Sequence, residues 1–327
     1  MHAASFDADD NYVQDVSVNW SVSGGIGNTN PASGIATTLT ATTPGTGQIT
    51  ADHPTLIDDA TGTITVSAGN LASIRIVEGP SGNTAEVTTI NLTADDAVTV
   101  HAAGYDAQGN YLGDQTVTWS GTGTLTPAPS GTSTAITFSP TLAPASGTIV
   151  ATHATAGTDA TGQITVSVGA AHHVKVLETV SGNTTEVTTA NLATGGTLQV
   201  HASSFDADDN YIQDVSVSWS VSGGIGTLAP TTGIATTLTA TTPGSGQITA
   251  DHATLIDDAT GTITVSTSGL AFIRIIEGPA GDGPELDVRN LTADQTLTVH
   301  AAGYDANGNY LGDQEVTWSS TGTLATP

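Results

Sequence analysis

The amino-acid sequence predicts an all-β protein made of tandem antiparallel β-sandwiches. A block that contains one Trp begins at His2, His101, His201 and His300, at intervals of 99, 100 and 99 residues. The chain is rich in Gly, Thr, Ala and Ser and has 4% aromatic residues, a composition that favours short strands and many turns over long helices. Apolar and polar residues alternate in short segments that end at turn residues, as half-buried strands require.

The repeats are of two alternating types. A shift of 199 residues aligns residues 2–67 with residues 201–266 without a gap, and 56 of 66 positions are identical. A shift of 99 residues gives a weaker match, so neighbouring repeats differ. We therefore predict four domains, called repeats 1 to 4: a partial type A domain at 1–68, a type B domain at 69–168, a type A domain at 169–267, and a partial type B domain at 268–327.

The two end repeats are predicted to be incomplete sandwiches. Residues 1–68 lack the first strands of the unit, and residues 268–327 lack the last ones. Either half alone would expose an open core face. Two explanations stay open at this point. The chain is a window through a longer array, or it is a subunit that exchanges strands with its neighbours.

The strands can be placed most clearly in repeat 2. We predict about seven short strands, which include Ser73–Val77, Ala97–Ala102, Thr116–Ser120, one or two weak strands within 121–146, and a last hairpin formed by Gly147–His153 and Gly162–Val168. Asp106–Asn110 is predicted as a tight loop in which Gly109 takes a positive φ. About seven strands with regularly spaced turns indicate an antiparallel sandwich.

Several of these motifs resemble a known family. The block Gly104–Asn110, followed by Val117-Thr-Trp119 and by two later Gly-x-Ile segments, is similar to the bacterial immunoglobulin-like repeats of intimin- and invasin-type surface adhesins. The resemblance implies tandem immunoglobulin-like sandwiches in an extended rod, on a cell surface or outside the cell, and it implies no catalysis. The type A loops Asp7–Asn11 and Asp206–Asn210 depart from the pattern, because Asp replaces Gly at Asp10 and Asp209.

Charge limits the classes of partner. The chain has 4 Lys and Arg residues against 31 Asp and Glu residues, a formal net charge of -27. Nucleic acid and anionic membrane surfaces would be repelled, whereas cations would be attracted. The sequence has no Cys, so no disulfide stabilises the fold. No apolar run approaches the 18 residues of a membrane span.

Aspartates of the type A repeats are the candidate metal ligands. The loop after the second strand and the loop of the last hairpin are expected at the pole that faces the preceding domain. Gathered carboxylates at a domain junction suit Ca²⁺, the one cofactor that we consider. The predicted ligands are Asp7, Asp9, Asp10, Asp58 and Asp59 in repeat 1, and Asp206, Asp208, Asp209, Asp257 and Asp258 in repeat 3. The alternative interpretation is that these residues cap turns by accepting backbone N–H bonds.

Other residues suggest more general roles. His101 and its counterparts are predicted to face outward on a strand, and the Trp residues to lie in the core. Tyr105 and Tyr111 flank the loop and form a candidate sugar platform. Arg75, Lys175 and Arg274 occupy equivalent positions, which suggests a structural requirement. Candidate glycosylation sites are Asn91 and Asn290, in the loop before the second strand, and Asn183.

The function predicted from these features is structural and not enzymatic. No nucleophile elbow, phosphate loop or zinc motif is present in the sequence. We expect the shaft of a surface adhesin or the subunit of an extracellular fibre, with neighbouring repeats or identical subunits as partners and no membrane insertion in this segment. The alternative is a set of carbohydrate-binding modules of a secreted or cell-surface protein, with glycans as partners.

Overall fold

The computed structural model describes residues 1–80, 85–178, 185–278 and 283–322. The chain divides into two compact units, residues 1–167 and residues 168–327. The described residues form strands and turns, and they include no helix that is long and apolar enough to cross a membrane. The all-β class predicted from the sequence is therefore confirmed.

Repeat 1 forms the first part of unit 1. Its strands are β1 (Ala4–Phe6), β2 (Tyr12–Asp15), β3 (Val18–Val22), β4 (Gly27–Asn30), β5 (Ser33–Gly34), β6 (Thr38–Ala41), β7 (Gly45–Gly47), β8 (Ile49–Asp52), β9 (Asp59–Ala60) and β10 (Ile64–Val66). One sheet has the order β5-β3-β8-β9, and β1-β2, β4-β6 and β7-β10 are two-stranded. The buried residues Val18, Trp20 and Ile49 form a small core.

Repeat 2 is a complete sandwich. Its strands are β11 (Leu71–Val77), β12 (Ile90–Thr93), β13 (Val98–Asp106), β14 (Tyr111–Asp114), β15 (Val117–Gly121), β16 (Ser130–Ser133), β17 (Ala135–Phe138), β18 (Ala145–Gly147), β19 (Ile149–His153), β20 (Gly157–Ala160) and β21 (Ile164–Ser167). The sheets β11-β13-β14 with β17, β16-β15-β19-β20, and β12-β21-β18 enclose one buried cluster. The cluster contains Ile76, Val100, Trp119, Phe138, Ile149 and Ile164. Alternation along β13, in which Val100 and Ala102 are buried, is as the sequence predicts.

The predicted last hairpin of repeat 2 is wrong. Both strands exist, but β19 pairs with β20, whereas β21 joins a different sheet, antiparallel to β18 and parallel to β12. The chain changes sheets at Thr161 and Gly162. Thr161 makes two bonds with Ile149, since its N–H donates to the Ile149 carbonyl at 2.9 Å and its hydroxyl oxygen accepts the Ile149 N–H at 3.0 Å. A side chain at residue 162 would lie 1.1 Å from the Thr88 carbonyl oxygen, so only Gly fits.

Strand β12 also corrects the position predicted for Asn91. The sequence places Asn91 in a loop, but it lies within β12, paired in parallel with Thr165 of β21. Ile90 and Leu92 of the same strand pack against the core, and Asn91 between them is exposed. The alternation of two apolar residues around a polar one is too short to be recognised as a strand from the sequence.

Repeat 3 is the complete sandwich of unit 2. Its strands are β22 (His173–Glu178), β23 (Thr189–Ala193), β24 (Thr197–Phe205), β25 (Tyr211–Asp214), β26 (Val217–Val221), β27 (Gly226–Ala229), β28 (Thr232–Gly233), β29 (Ala235–Ala240), β30 (Gly244–Gly246), β31 (Ile248–Asp251), β32 (Asp258–Ala259) and β33 (Thr262–Ser266). The sheets are β22-β24-β29-β27 with β25, β28-β26-β31-β32, and β23-β33-β30. In β22, Val174 and Val176 are buried against Trp219 and Ile248. Each such side chain contributes on the order of 1.5–3 kcal/mol of burial free energy.

Repeat 4 contributes a smaller sheet to unit 2. Its strands are β34 (Phe272–Ile276), β35 (His300–Tyr304) and β36 (Tyr310–Asp313), in the order β34-β35-β36. Ile276, Ala302 and Tyr304 are buried. Trp318 is 40% exposed, whereas its counterparts Trp20, Trp119 and Trp219 are buried.

The two complete repeats are immunoglobulin-like sandwiches. Each has a Trp in the second strand after the tight loop, Trp119 in β15 and Trp219 in β26, and that Trp is buried in the core. The indole N–H donates to a carbonyl oxygen of the neighbouring strand, Ser133 at 3.2 Å and Gly233 at 3.0 Å. The core position predicted for the tryptophans is confirmed for Trp20, Trp119 and Trp219, and it is wrong for Trp318, which lies outside the strands of repeat 4. The four predicted domain ranges themselves stay a prediction, although the largest buried clusters lie within residues 74–166 and 174–265.

Candidate functional site: the acidic loop at the joint between repeats

The loop Asp106–Asn110 is built around the Asp106 carboxylate. Asp106 Oδ1 accepts the N–H groups of Gln108 at 3.0 Å and Asn110 at 2.8 Å, and Asn110 Nδ2 donates to both carboxylate oxygens. Gly109 has φ +83°, as predicted for this turn. The sequence folds locally in this way because a short Asp side chain satisfies the N–H groups of a tight turn.

Hydrogen bonds to Asp106 stabilise its charged form. The Asn110 side-chain amide, followed by the Gly69 N–H, lowers the pKa of Asp106 to about 2 from its ordinary value of 3.8. Burial opposes this shift, but the hydrogen bonds outweigh it. Asp106 is therefore an anion with filled acceptor sites at neutral pH.

The same loop connects repeat 2 to repeat 1. Asn110 Nδ2 donates to the Thr42 carbonyl oxygen of repeat 1 at 2.9 Å. Asp106 Oδ2 accepts the N–H of Gly69, in the linker between the two repeats, at 2.9 Å. One loop thus holds both the preceding repeat and the linker. The expectation that this loop faces the preceding domain is confirmed within unit 1.

Unit 2 contains the equivalent joint between repeats 3 and 4. Asn309 Nδ2 donates to the Thr241 carbonyl oxygen at 2.9 Å, which reproduces the Asn110 contact. The linker amide is held through a relay, since Ser268 N–H donates to Thr194 Oγ1 at 2.8 Å and Thr194 Oγ1 donates to Asp305 Oδ2 at 2.6 Å.

The carboxylate at the centre of the second joint, Asp305, is fully buried. Burial alone would raise the pKa of Asp305. The hydrogen bonds from Thr194 and Asn309 lower it by more than burial raises it, so the pKa of Asp305 lies well below the ordinary value of 3.8. A buried charge is stable only when its acceptor sites are filled, and Thr194 supplies a bond from the neighbouring repeat. The joint therefore depends on contacts that both repeats contribute.

The first carboxylate of each type A loop caps its own turn. Asp206 Oδ1 accepts the N–H groups of Asp208 at 3.0 Å and Asn210 at 2.9 Å, and Oδ2 accepts the Gly169 N–H at 2.9 Å. Burial raises the pKa of Asp206, and these hydrogen bonds bring it below the ordinary value. Asp7 is bonded in the same way, with Oδ1 accepting the N–H groups of Asp9 and Asn11 at 3.0 Å each. These contacts agree with the alternative interpretation, in which the Asp residues cap turns by accepting backbone N–H bonds.

Asp209 is paired with a cation from β22. Its Oδ1 lies 2.9 Å from Lys175 Nζ and 3.0 Å from His173 Nε2. The hydrogen bond from Lys175 lowers the pKa of Asp209. Asp209 has φ +69° and Asp10 has φ +62°, so both take a left-handed conformation where type B loops have Gly.

The remaining predicted ligands bond other backbone groups or are exposed. Asp58 Oδ1 accepts the His53 N–H at 3.0 Å, Asp257 Oδ1 accepts the His252 N–H at 2.7 Å, and Asp258 Oδ2 accepts the Val176 N–H at 2.7 Å. Asp9, Asp59 and Asp208 are exposed. Within the ranges that the structure describes, no three His, Asp or Glu side chains form a group that could hold a metal ion. Calcium binding at the type A loops stays a prediction, and a melting temperature insensitive to both Ca²⁺ and EDTA would contradict it.

A His–Asp–Tyr set in every repeat was missed by sequence reasoning. His101 Nδ1 lies 2.9 Å from Asp114 Oδ2, and Tyr111 donates its hydroxyl to Asp114 Oδ1 at 2.7 Å. The equivalent sets are His2, Asp15 and Tyr12; His201, Asp214 and Tyr211; and His300, Asp313 and Tyr310. The signal in the sequence is the constant spacing of Tyr at ten and Asp at thirteen residues after His.

The outward-facing position predicted for these histidines is wrong for repeats 2 and 3. His201 is 7% exposed and His101 is half-buried. His201 Nε2 lies 3.0 Å from Asp214 Oδ2, but its N–H direction does not make a hydrogen bond. In repeat 2 the Asp114 carboxylate supplies a partner for the His101 ring that water would otherwise supply, and this allows the ring to be half-buried. His101 lies on β13, and Tyr111 and Asp114 lie on β14, so the set links two neighbouring strands of one sheet.

The three equivalent cations lie over aromatic rings of the adjacent strand. Arg75 is 5.0 Å from the ring centroid of Tyr105, Lys175 is 5.2 Å from that of Phe205, and Arg274 is 5.4 Å from that of Tyr304. These contacts are cation–π interactions that stabilise the pairing of β11 with β13, of β22 with β24 and of β34 with β35. The contact with the aromatic ring explains the structural requirement that we inferred from the equivalent positions of the three cations. Tyr105 is buried and Tyr111 is half-buried, and the sugar platform stays a prediction.

The candidate glycosylation sites differ in setting. Asn91 in β12 and Asn290 are both exposed. Asn183 lies outside the described residues. Glycosylation at these positions stays a prediction.

Comparisons with known proteins give similarity to solved structures only. No protein-family model matches the chain, and no curated protein matches it either. Similar structures include a solved chain of the Escherichia coli adhesin FdeC (17% identity, TM-score 0.34, covering 80% of this chain and 89% of the solved chain) and extracellular domains 3–5 of Drosophila OTK (10% identity, TM-score 0.27, covering 74% of this chain and 84% of the solved chain). Domains 5–6 of the S-layer protein SbsC give 14% identity and a TM-score of 0.21, covering 61% of this chain and 99% of SbsC domains 5–6.

These likenesses are too low to carry a functional argument. The immunoglobulin-like architecture rests on the strands and cores described above. The more specific resemblance to intimin- and invasin-type repeats stays a prediction.

Proposed function

We propose that this chain is a structural segment that holds immunoglobulin-like domains at a fixed spacing in an extracellular shaft or fibre. The observation that carries the proposal is the repeated joint: Asn110 bonds the Thr42 carbonyl, and Asn309 bonds the Thr241 carbonyl, both at 2.9 Å. Relative motion is the default for domains joined by a linker, so a loop that bonds both the preceding repeat and the linker favours a defined geometry.

The joint acts through three groups at once. The Asn side chain bonds the preceding repeat, and the Asp carboxylate holds the linker amide, directly at Gly69 and through Thr194 at Ser268. Gly109 and Gly308 supply the positive φ of the tight loop. Each hydrogen bond contributes about 1 kcal/mol net, and together they restrict the linker. A loop that is part of each sandwich core thereby sets the position of the neighbouring domain.

Surface charge supports the same role. A net charge of -27 keeps such segments soluble and prevents non-specific association. We propose a location on the cell surface or outside the cell, where an array of this kind supplies length. The proposal assigns no catalytic step to any residue.

Electron microscopy of the 327-residue chain tests the proposal. We expect elongated particles in which each repeat appears as a separate density at regular spacing. The double variant Asn110→Ala/Asn309→Ala should give bent and variable particles, and Asn28→Ala, at an exposed position of β4, should not. Compact particles without a regular spacing would overturn the proposed function.

A further inference from the structure

Repeat 1 contains an open groove over its core. The groove has a cavity volume of about 360 Å³, and Val18, Trp20, Ile49 and Ala51 lie at its base. Ile57, on the rim, is 99% exposed. A groove that exposes the Trp side of a sandwich core is an apolar surface that another element can cover.

Repeat 3 shows which element covers the same place. There, Val174 and Val176 of β22 are buried against the counterpart core. The strand is fixed by two bonds, from Val176 N–H to Asp258 Oδ2 at 2.7 Å and from Val174 N–H to the Ile256 carbonyl at 2.9 Å. The residues of repeat 1 at these two acceptor positions, 199 residues earlier, are Asp59 and Ile57, and both are exposed.

Strand β34 of repeat 4 has the side chains that such a groove requires. It is the counterpart of β22, because Phe272 pairs with Tyr304 as His173 pairs with Phe205. Ile273 and Ile275 stand at the positions of the buried Val174 and Val176. They are 48% and 44% exposed in repeat 4.

Charge is also complementary between these two elements. In repeat 3, Lys175 Nζ lies 2.9 Å from Asp209 Oδ1. Arg274 is the counterpart of Lys175 in β34, and Asp10 is the counterpart of Asp209 in repeat 1, with the same left-handed φ. Repeat 1 has no Lys or Arg, whereas repeat 4 has two of the four cations of the chain.

We propose that the groove of repeat 1 binds strand β34 of a second copy of this chain, in the register that β22 has in repeat 3. Strand β34 exchanges its antiparallel pairing with β35 for pairing with β1, so that Phe272 lies opposite Phe6. The pairing of β34 with β35 is replaced by an equivalent antiparallel pairing with residues 1–6, while Ile273 and Ile275 become buried and Arg274 reaches Asp10. The contact joins the last repeat of one copy to the first repeat of the next, which is a head-to-tail arrangement that extends into a filament. This inference goes beyond the proposed spacing role, because it names a partner.

Disulfide trapping tests the contact directly. The chain has no Cys, so the double variant Ile57→Cys/Phe272→Cys introduces the only two thiols, at the positions equivalent to the bridged pair Ile256 and His173. Under mild oxidation we expect a ladder of covalent oligomers that disappears on reduction. The control Ile57→Cys/Thr264→Cys, with the second thiol on the exposed face of β33, should give no ladder.

Charge-reversal variants are the second test of the contact. Light scattering should show concentration-dependent oligomers of the unmodified chain. Arg274→Asp should weaken association at least tenfold, and Asp10→Lys combined with Arg274→Asp should restore it. Arg75→Asp, at the same strand position in repeat 2, should leave association unchanged.

Three results would overturn the proposal: a monomer at every concentration with no ladder, a disulfide that closes within one chain, or binding of a synthetic peptide of residues 170–178 in the groove without self-association. Single elongated particles without a ladder would remove this inference and leave the proposed spacing function standing. A ladder formed by compact particles would support the contact between copies and would contradict the proposed spacing function.

Discussion

At the scale of the residue, one loop shows how a single backbone requirement is met in two ways. Type B loops place Gly109 and Gly308 at φ +83° and +85°. Type A loops place Asp10 and Asp209 in the same region, at a conformational cost that Gly does not have. In repeat 3 the Asp209 side chain offsets this cost by binding Lys175. The positive φ at Gly109 could be predicted from the sequence, because tight loops of this composition require it.

Replacement of Gly109 should destabilise repeat 2. Gly109→Ala forces a Cβ into the left-handed region, and we expect the free energy of unfolding to fall by about 1 kcal/mol. The space around Gly109 is open, so the loss reports the backbone conformation alone. Urea denaturation measures it. Gly62→Ala, which has open space and no left-handed φ, is the matched control and should change stability little. Equal losses in both variants would contradict this account.

Acid should weaken repeat 2 through Asp106. Its pKa is lowered to about 2 in the folded chain from 3.8. The corresponding stability is fully present above pH 4 and is lost as the pH falls toward 2, because the unfolded chain then binds the proton more readily. We expect the melting temperature to drop over this window. Asp106→Asn should lower the melting temperature at pH 5 and remove part of the drop, whereas Asp9→Asn should do neither. An unchanged pH profile in Asp106→Asn would refute the role of this carboxylate.

At the scale of the element, the positions of strands could be predicted from the sequence better than the pairing between strands. Gly147–His153 and Gly162–Val168 both contain strands, but they belong to different sheets. The sheet change depends on the buried Thr161 hydroxyl and on Gly162 against the Thr88 backbone, contacts between distant segments that no local pattern reveals. Repeats 1 and 3 have the same device, with Ile49 N–H donating to Thr61 and Ile248 N–H donating to Thr260, each at 3.0 Å.

Loss of the Thr161 hydroxyl should destabilise repeat 2 markedly. Thr161→Val keeps the shape but leaves the buried Ile149 N–H without its acceptor, which costs about 1–3 kcal/mol. Thermal and urea unfolding measure this loss. Thr158→Val, on the exposed face of β20, is the control and should have an effect close to zero. If the two variants are equally stable, the hydroxyl does not fix the sheet change.

At the scale of the whole molecule, the repeated joint is the central feature. That a loop would face the preceding domain could be predicted from the sandwich topology. The bond itself could not, because its acceptor, the Thr42 carbonyl, is a backbone group without a sequence signature. The relay from Ser268 through Thr194 to Asp305 could likewise not be predicted from the sequence, since it joins residues more than 70 positions apart.

Removal of the relay hydroxyl should affect the second joint. Thr194→Val leaves the buried Asp305 and the Ser268 N–H without their shared partner, and we expect a lower melting temperature for unit 2. Thr194→Ser keeps the hydroxyl and should restore most of the loss. Proteolysis at the linker near Ser268 should accelerate in Thr194→Val alone. Equal cleavage rates in both variants would count against the relay.

The most direct test of the account is the distance distribution between repeats 1 and 2. Spin labels at Asn28→Cys in β4 and Thr132→Cys in β16, both exposed positions, need no removal of native Cys. Double electron–electron resonance should give one narrow distance distribution, and Asn110→Ala should broaden it. A broad distribution in the parent chain, or a narrow one that Asn110→Ala leaves unchanged, would contradict the claim that this loop holds neighbouring repeats at a fixed spacing.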